Sequence, residues 1–197
     1  MASHDAVSDM AVAYQRHRVS IDEFHKMVAA DVFDPDARIE LIDGAIVEHV
    51  SPIGPPHAFT TTRLTTLLVE RLGRRVEVRT QSPVTLSRDS EPQPDILVAR
   101  PSNAYWERHP EAAETLLVIE VADSSVSSDR RRKIPLYAQA GVPEVWLVDL
   151  VRSLVYVYRD PLDGEYANVT VAHRGKAIAP QTFPDDGLAV NDFLPPE

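Results

Sequence analysis

The stretch 115-TLLVIEVAD-123 decides how this chain folds. From Leu116 to Ala122 every residue is apolar except Glu120, and the run has the length and β-branched content of a buried strand. In a strand, Leu116, Val118, Glu120 and Ala122 share one face, and Leu117, Ile119 and Val121 share the other. A carboxylate in that setting is desolvated on either face, and leaving it unpaired costs several kcal/mol. Glu120 therefore needs a partner. Two kinds fit: a cationic side chain in a structural ion pair, or a metal ion.

Downstream of this stretch, 127-SSDRRRKIPLYAQA-140 reads as a helix closed by Gly141, with Pro135 implying a kink or a first-turn position. The strand 144-EVWLVDL-150 follows, so the passage forms a strand–helix–strand unit compatible with a parallel crossover. A hairpin from 153-SLVYVYR-159 to 165-EYANVTV-171 comes next, then a short strand or turn and a proline-containing tail. Upstream, 94-PDILVAR-100 has the apolar content of a second buried strand, preceded by expected strands at 75-RVEVRT-80 and 83-PVTLS-87. A helix is expected from about His57 to Leu72, with Leu64, Leu67, Leu68 and Leu72 at helical spacing and Gly73 as the stop. The segment 37-ARIELIDGAIVEHV-50 reads as two strands around an Asp43-Gly44 turn. Ser20-Ile-Asp-Glu23 is a capping box that opens the helix 21-IDEFHKMVAA-30, with Phe24, Met27 and Val28 on one stripe. Residues 1–18 read as a flexible N-terminal tail and 19–197 as one domain. The expected fold class is mixed α/β: a central mixed β-sheet flanked by helices, with an N-terminal β-hairpin.

Composition narrows the chemistry. The 197 residues include no cysteine, which excludes disulfides, thiolate ligands and cysteine nucleophiles. Any metal must be held by oxygen or imidazole, which favours Mg2+ or Mn2+. No apolar run approaches the roughly 20 residues of a membrane span, and the N-terminus lacks a signal-peptide core, so the expected location is cytoplasmic. There is no GxxxxGK[ST] phosphate loop and no nucleophile elbow, which argues against a nucleotide-driven motor and against other hydrolases. Thirty acidic residues against twenty basic ones give a net charge of −10. Non-specific nucleic-acid binding depends on cations replacing counterions, so this charge disfavours a tight non-specific binder. It leaves room for an enzyme that meets nucleic acid at one local patch, because screening limits repulsion to roughly 8–10 Å.

Three residues carry the chemical case. Asp95 heads a strand directly after Pro94, which holds the backbone extended. It is either a capping residue or a ligand. On a strand adjacent to Glu120 the two carboxylates would repel strongly unless a cation lay between them, and two carboxylates plus water is an arrangement that magnesium accepts. Lys133 is one of only three lysines, with Lys26 and Lys176, in a chain that otherwise uses arginine. It pairs with Asp129 on the helix surface, or it serves a site where arginine would not, since only lysine readily loses its proton when desolvated.

The order Pro94-Asp95 then Glu120-Val121-Ala122 resembles the PD-(D/E)XK nuclease superfamily, the restriction-endonuclease-like fold. More narrowly, ELIDG (40–44), SPIGPPH (51–57), EPQPDILV (91–98), LLVIEVADSS (116–125), DRRRKIPLYAQAGVPEVWLVD (129–149) and VYVYR (155–159) resemble the bacterial Uma-type restriction endonuclease family. The likeness spans about residues 20–160. It implies a metal-dependent endonuclease acting on phosphodiester bonds, with DNA as substrate, Mg2+ or Mn2+ as cofactor and a homodimer as the working form. It nominates Asp95, Glu120 and the Val121 carbonyl as metal ligands, Glu40 and Lys133 as further catalytic residues, and His57, Ser125 (with Ser124) and Arg130 for substrate. Glu40 could equally be a solvent-facing hairpin glutamate, and His57 could simply cap a helix. One position departs from the superfamily: the lysine expected two after Glu120 is Ala122, which is why Lys133 on the following helix is nominated. A catalytically weak or inactive nuclease-fold module, binding nucleic acid or a partner protein, is the competing expectation.

Overall fold

The computed structural model describes residues 15–49, 53–123 and 126–196, with 126–131 described by backbone alone. Helix α1 (Ile21–Ala29) begins at Ser20, whose hydroxyl accepts from the Glu23 amide while the Glu23 carboxylate accepts from the Ser20 amide. That is the reciprocal cap read from the sequence. Of the expected stripe only Phe24 is buried. Met27 is half-buried and Val28 is exposed, because α1 borders an open cleft of about 540 Å3 shared with Glu91, Trp106 and His109 rather than a second packed layer. Strands β1 (Ile39–Ile42) and β2 (Ala45–Glu48) then pair antiparallel, Glu40 opposite Val47, around Asp43 and Gly44. Both turn residues have positive φ (51° and 72°), as a two-residue hairpin turn requires.

Helix α2 (Pro55–Leu72) starts two residues before the expected His57. Proline is accommodated there because the first-turn amides have no helical acceptor to lose. Leu64, Leu68 and Leu72 are buried, and Gly73 ends the helix with φ 55°. Then come β3 (Glu77–Thr80), β4 (Ile96–Ala99), β5 (Thr115–Ala122), helix α3 (Val126–Gln139), β6 (Glu144–Asp149), β7 (Leu154–Leu162) and β8 (Glu165–His173). A short pair, β9 (Ala177–Ile178) with β10 (Leu188–Ala189), and one turn of helix, α4 (Val190–Phe193), complete the described fold.

One sequence expectation is corrected and another narrowed. Residues 83–87 do not form a strand. Val84 and Leu86 point inward with strand-like alternation, but the backbone amides go to a tight local turn and to a passing loop: Val84 to the Pro92 carbonyl, Thr85 to that of Pro110 and Leu86 to that of Ser90. Of the two positions expected for Pro135, the first turn is excluded, since it stands inside α3, which runs on through Gln139. The missing amide leaves one carbonyl of the preceding turn without its helical donor, a loss offset by burial of Ile134, Tyr137 and Ala138.

β3 to β8 form one six-stranded sheet in sequence order. Every neighbouring pair is antiparallel except β5 and β6, which α3 connects as a parallel unit. On one face Leu64, Leu68 and Leu72 of α2, with Val190 and Phe193 of α4, pack on Ile96, Ile119, Val121, Trp146 and Val148. On the other, Ile134, Tyr137 and Ala138 of α3 pack on Leu97, Val118, Ala122, Val145 and Leu147. β5 is thus enclosed on both faces along its whole length, which explains its nearly unbroken apolar run.

Candidate active site

β4 and β5 set the geometry of the site. Ile96 stands opposite Ile119 and Leu97 opposite Val118, so Asp95, one residue before β4, comes at the end of the sheet where Glu120 lies. Asp95 meets the Val121 amide and His57 of α2, whereas Glu120 meets Tyr137 and Lys133 of α3. Both carboxylates are buried. Asp95 Oδ2 accepts from the Val121 amide at 2.8 Å and lies 3.1 Å from His57 Nε2. The first bond locks the carboxylate to the end of β5, where β4 no longer supplies a ladder partner. Within a strand the N–H and C=O of one residue point to the same side, so the Val121 carbonyl faces the same edge as Asp95. The Ala122 carbonyl turns the other way and accepts from the Leu150 amide at 2.9 Å.

His57 lies in the first turn of α2. Its hydrogen bond to Asp95 raises its pKa above the usual 6.5, against burial, which works the other way. The exposed Arg38, on the edge of the β1–β2 hairpin, also opposes that protonation.

Glu120 is met from α3. Tyr137 Oη donates to Glu120 Oε1 at 2.7 Å, and Lys133 Nζ lies 3.3 Å from the same oxygen. Lys133 and Tyr137 are one helical turn apart, so both reach the same point on β5. Burial raises the Tyr137 phenol well above its ordinary value, and the Glu120 charge adds to that, so it remains a donor. Lys133 Nζ also donates to Glu40 Oε1 at 2.9 Å, and that oxygen accepts from the Gln93 amide at 3.1 Å. Burial would raise the Glu40 carboxyl, but His49 and Lys133 together outweigh it and hold it below the usual value. Glu40 is therefore not a solvent-facing hairpin residue, and Lys133 is not a surface lysine.

The donor chemistry suits a hard cation. Asp95, Glu120 and the Val121 carbonyl offer only oxygen, in a chain with no cysteine. Among the described residues no three His, Asp or Glu side chains converge as a metal cluster, and the Lys133 ammonium contacts both Glu40 and Glu120. Two carboxylates, one carbonyl and water remain, a set that magnesium accepts.

Of the residues nominated from sequence, Asp95, Glu120, Val121, Glu40, Lys133 and His57 come together. Ser124 and Ser125 lie outside the described residues, as does the side chain of Arg130, whose backbone belongs to α3. Three residues at the site went unnoticed in the sequence: His49, Tyr137 and Arg38. Tyr137 sits one turn from Lys133 and could have been found by that spacing. His49 follows from the hairpin register once the Asp43-Gly44 turn is fixed.

Comparison with known proteins adds the following. The family model Uma2, described as "Putative restriction endonuclease", matches residues 21–191. A solved structure described as "a putative nuclease belonging to DUF820", from Anabaena variabilis, superposes with a TM-score of 0.67 at 21% identity. The match covers 89% of this chain and 97% of that one, and it establishes a shared fold. No curated protein matches the chain.

Proposed function

The chain belongs to the Uma2 family of restriction-endonuclease-like proteins, and from that premise we propose that it is a divalent-metal-dependent endonuclease cleaving phosphodiester bonds in DNA. One observation carries this reading: two buried carboxylates, Asp95 and Glu120, lie at the same end of the adjacent strands β4 and β5, with the Lys133 ammonium 3.3 Å from the second.

Mg2+ or Mn2+ held by Asp95, Glu120 and the Val121 carbonyl would supply Lewis-acid charge and a more acidic water. The chain's own residues do the rest. The Val121 amide and His57 fix the Asp95 carboxylate, while Tyr137 fixes that of Glu120. Lys133 donates toward the attacking water and the charge growing on the phosphate, worth about 10²–10⁴ in rate for a well-placed group of this kind. His57, whose positive charge Asp95 favours, and the exposed Arg38 are the cations placed to meet a phosphate oxygen at the mouth. Both are local, as a chain of net charge −10 requires.

Asp95→Ala and Glu120→Ala should each abolish Mg2+-stimulated cleavage of plasmid and linear DNA. Undiminished cleavage by both variants would refute the assignment. The second reading, a nuclease fold with a weak or silent site that binds nucleic acid or a protein, is favoured by Ala122 at the expected lysine position and by the commitment of Lys133 to two carboxylates. Under that reading DNA is bound and left intact at every metal concentration.

A further inference from the structure

His49 has no role in the chemistry above, yet it touches the site. Its Nε2 lies 3.1 Å from Glu40 Oε2. Both atoms are shielded from water, their mutual approach is off the hydrogen-bond direction, and neither has any other hydrogen-bond partner among the described residues. The hairpin register explains the encounter. Glu40 pairs with Val47 and the His49 amide bonds to the Arg38 carbonyl at 2.8 Å, so His49 is the diagonal neighbour of Glu40 on the same hairpin face. Long side chains in that relation reach each other.

The two oxygens of Glu40 therefore have separate duties. Oε1 takes the Lys133 ammonium at 2.9 Å and the Gln93 amide at 3.1 Å, and Oε2 faces His49 alone. With His49 absent, Oε2 would lose the one polar group that faces it, and a buried carboxylate oxygen facing nothing polar is costly. The nearest remedy is rotation of the carboxylate until both oxygens engage Lys133. That would draw the ammonium toward Glu40 and away from Glu120, its weaker contact at 3.3 Å.

We propose that His49 is a positioning residue, which sets the rotation of Glu40 so that Lys133 is shared with Glu120. This rests on the reading of Lys133 given above. His49 touches neither Asp95 nor Glu120 in any contact described, so its effect should pass through the lysine and leave the carboxylate pair alone.

The test pairs kinetics with a stability cycle. His49→Ala should lower kcat about 10-fold or more, a part of the roughly 10²–10⁴ that a well-placed proton-donating group supplies, with KM and calorimetric Mn2+ affinity unchanged. His49→Gln, which keeps a donor of similar reach, should recover most of the loss. In a Lys133→Met background, His49→Ala should cost nothing further. An equal kcat loss in that background, or no loss in the parent, overturns the proposal. Should the parent protein cut nothing, the nuclease reading fails, and the positioning claim is still decided by thermal melting of the four proteins in the cycle. Non-additive Tm shifts for His49→Ala and Lys133→Met support a coupled chain, whereas additive shifts overturn it.

Discussion

The His57 imidazole sits between a carboxylate and an opening. On one side it bonds to Asp95, and on the other it lines a groove of about 380 Å3 with Thr61, Thr65 and Gln81. Its pKa is raised in the folded protein, so its pairing with Asp95 stabilises the fold most at pH below the ordinary 6.5 and is lost as pH climbs through the raised value. Urea denaturation from pH 5.5 to 9 should therefore show the parent's advantage over His57→Gln shrinking with rising pH. An advantage that grows with pH would contradict the assigned partner. Asp95 and Glu120 were legible in the sequence because each interrupts or heads an apolar run, where a charge demands an explanation. Tyr137 and His49 carry no such signal of their own and become legible only through the spacing from Lys133 and the hairpin register. A tyrosine between Ile134 and Ala138 reads as ordinary core, and a histidine beyond the end of a strand acquires its partner only through diagonal register.

The β1–β2 hairpin is the element on which Glu40 and His49 depend. Gly44 has φ 72°, and a Cβ placed there would lie 2.7 Å from the Cβ of Arg18. Gly44→Ala therefore combines backbone strain with a steric clash and should destabilise the protein by about 1–3 kcal/mol. Asp43→Asn keeps a residue that tolerates positive φ and loses the exposed ion pair with Arg18, so it should cost under about 1 kcal/mol. Differential scanning calorimetry of the two variants checks the contrast, and equal Tm values would deny the turn its role. Elements with one dominant signal were readable from sequence: the capping box of α1, the Asp-Gly turn, the leucine spacing of α2 and the buried run of β5. Residues 83–87 misled because inward-pointing Val84 and Leu86 mimic a strand while their amides bond locally and to a loop. Val28 misled because amphipathic spacing cannot reveal that α1 lines a cleft.

At the scale of the molecule, the sheet has an uncovered edge. β8 carries no charged residue from Tyr166 to Ala172, and Val169 and Val171 are exposed, each 46% accessible. Long uncharged edges invite pairing with another chain, so we propose this edge as the surface through which a homodimer would form. Sedimentation equilibrium should find a dimer for the parent and a monomer for Val169→Lys/Val171→Lys, and an unchanged mass in the variant would rule out this edge. No helix of the described residues is long and apolar enough to cross a membrane. The deepest claim concerns the two buried carboxylates, and it is tested most directly by calorimetric titration of Mn2+ into the parent, Asp95→Asn and Glu120→Gln proteins without nucleic acid. The account expects one site per chain in the parent and none in either variant while all three remain folded. Equal heats from all three would show that the acidic pair does not hold the metal.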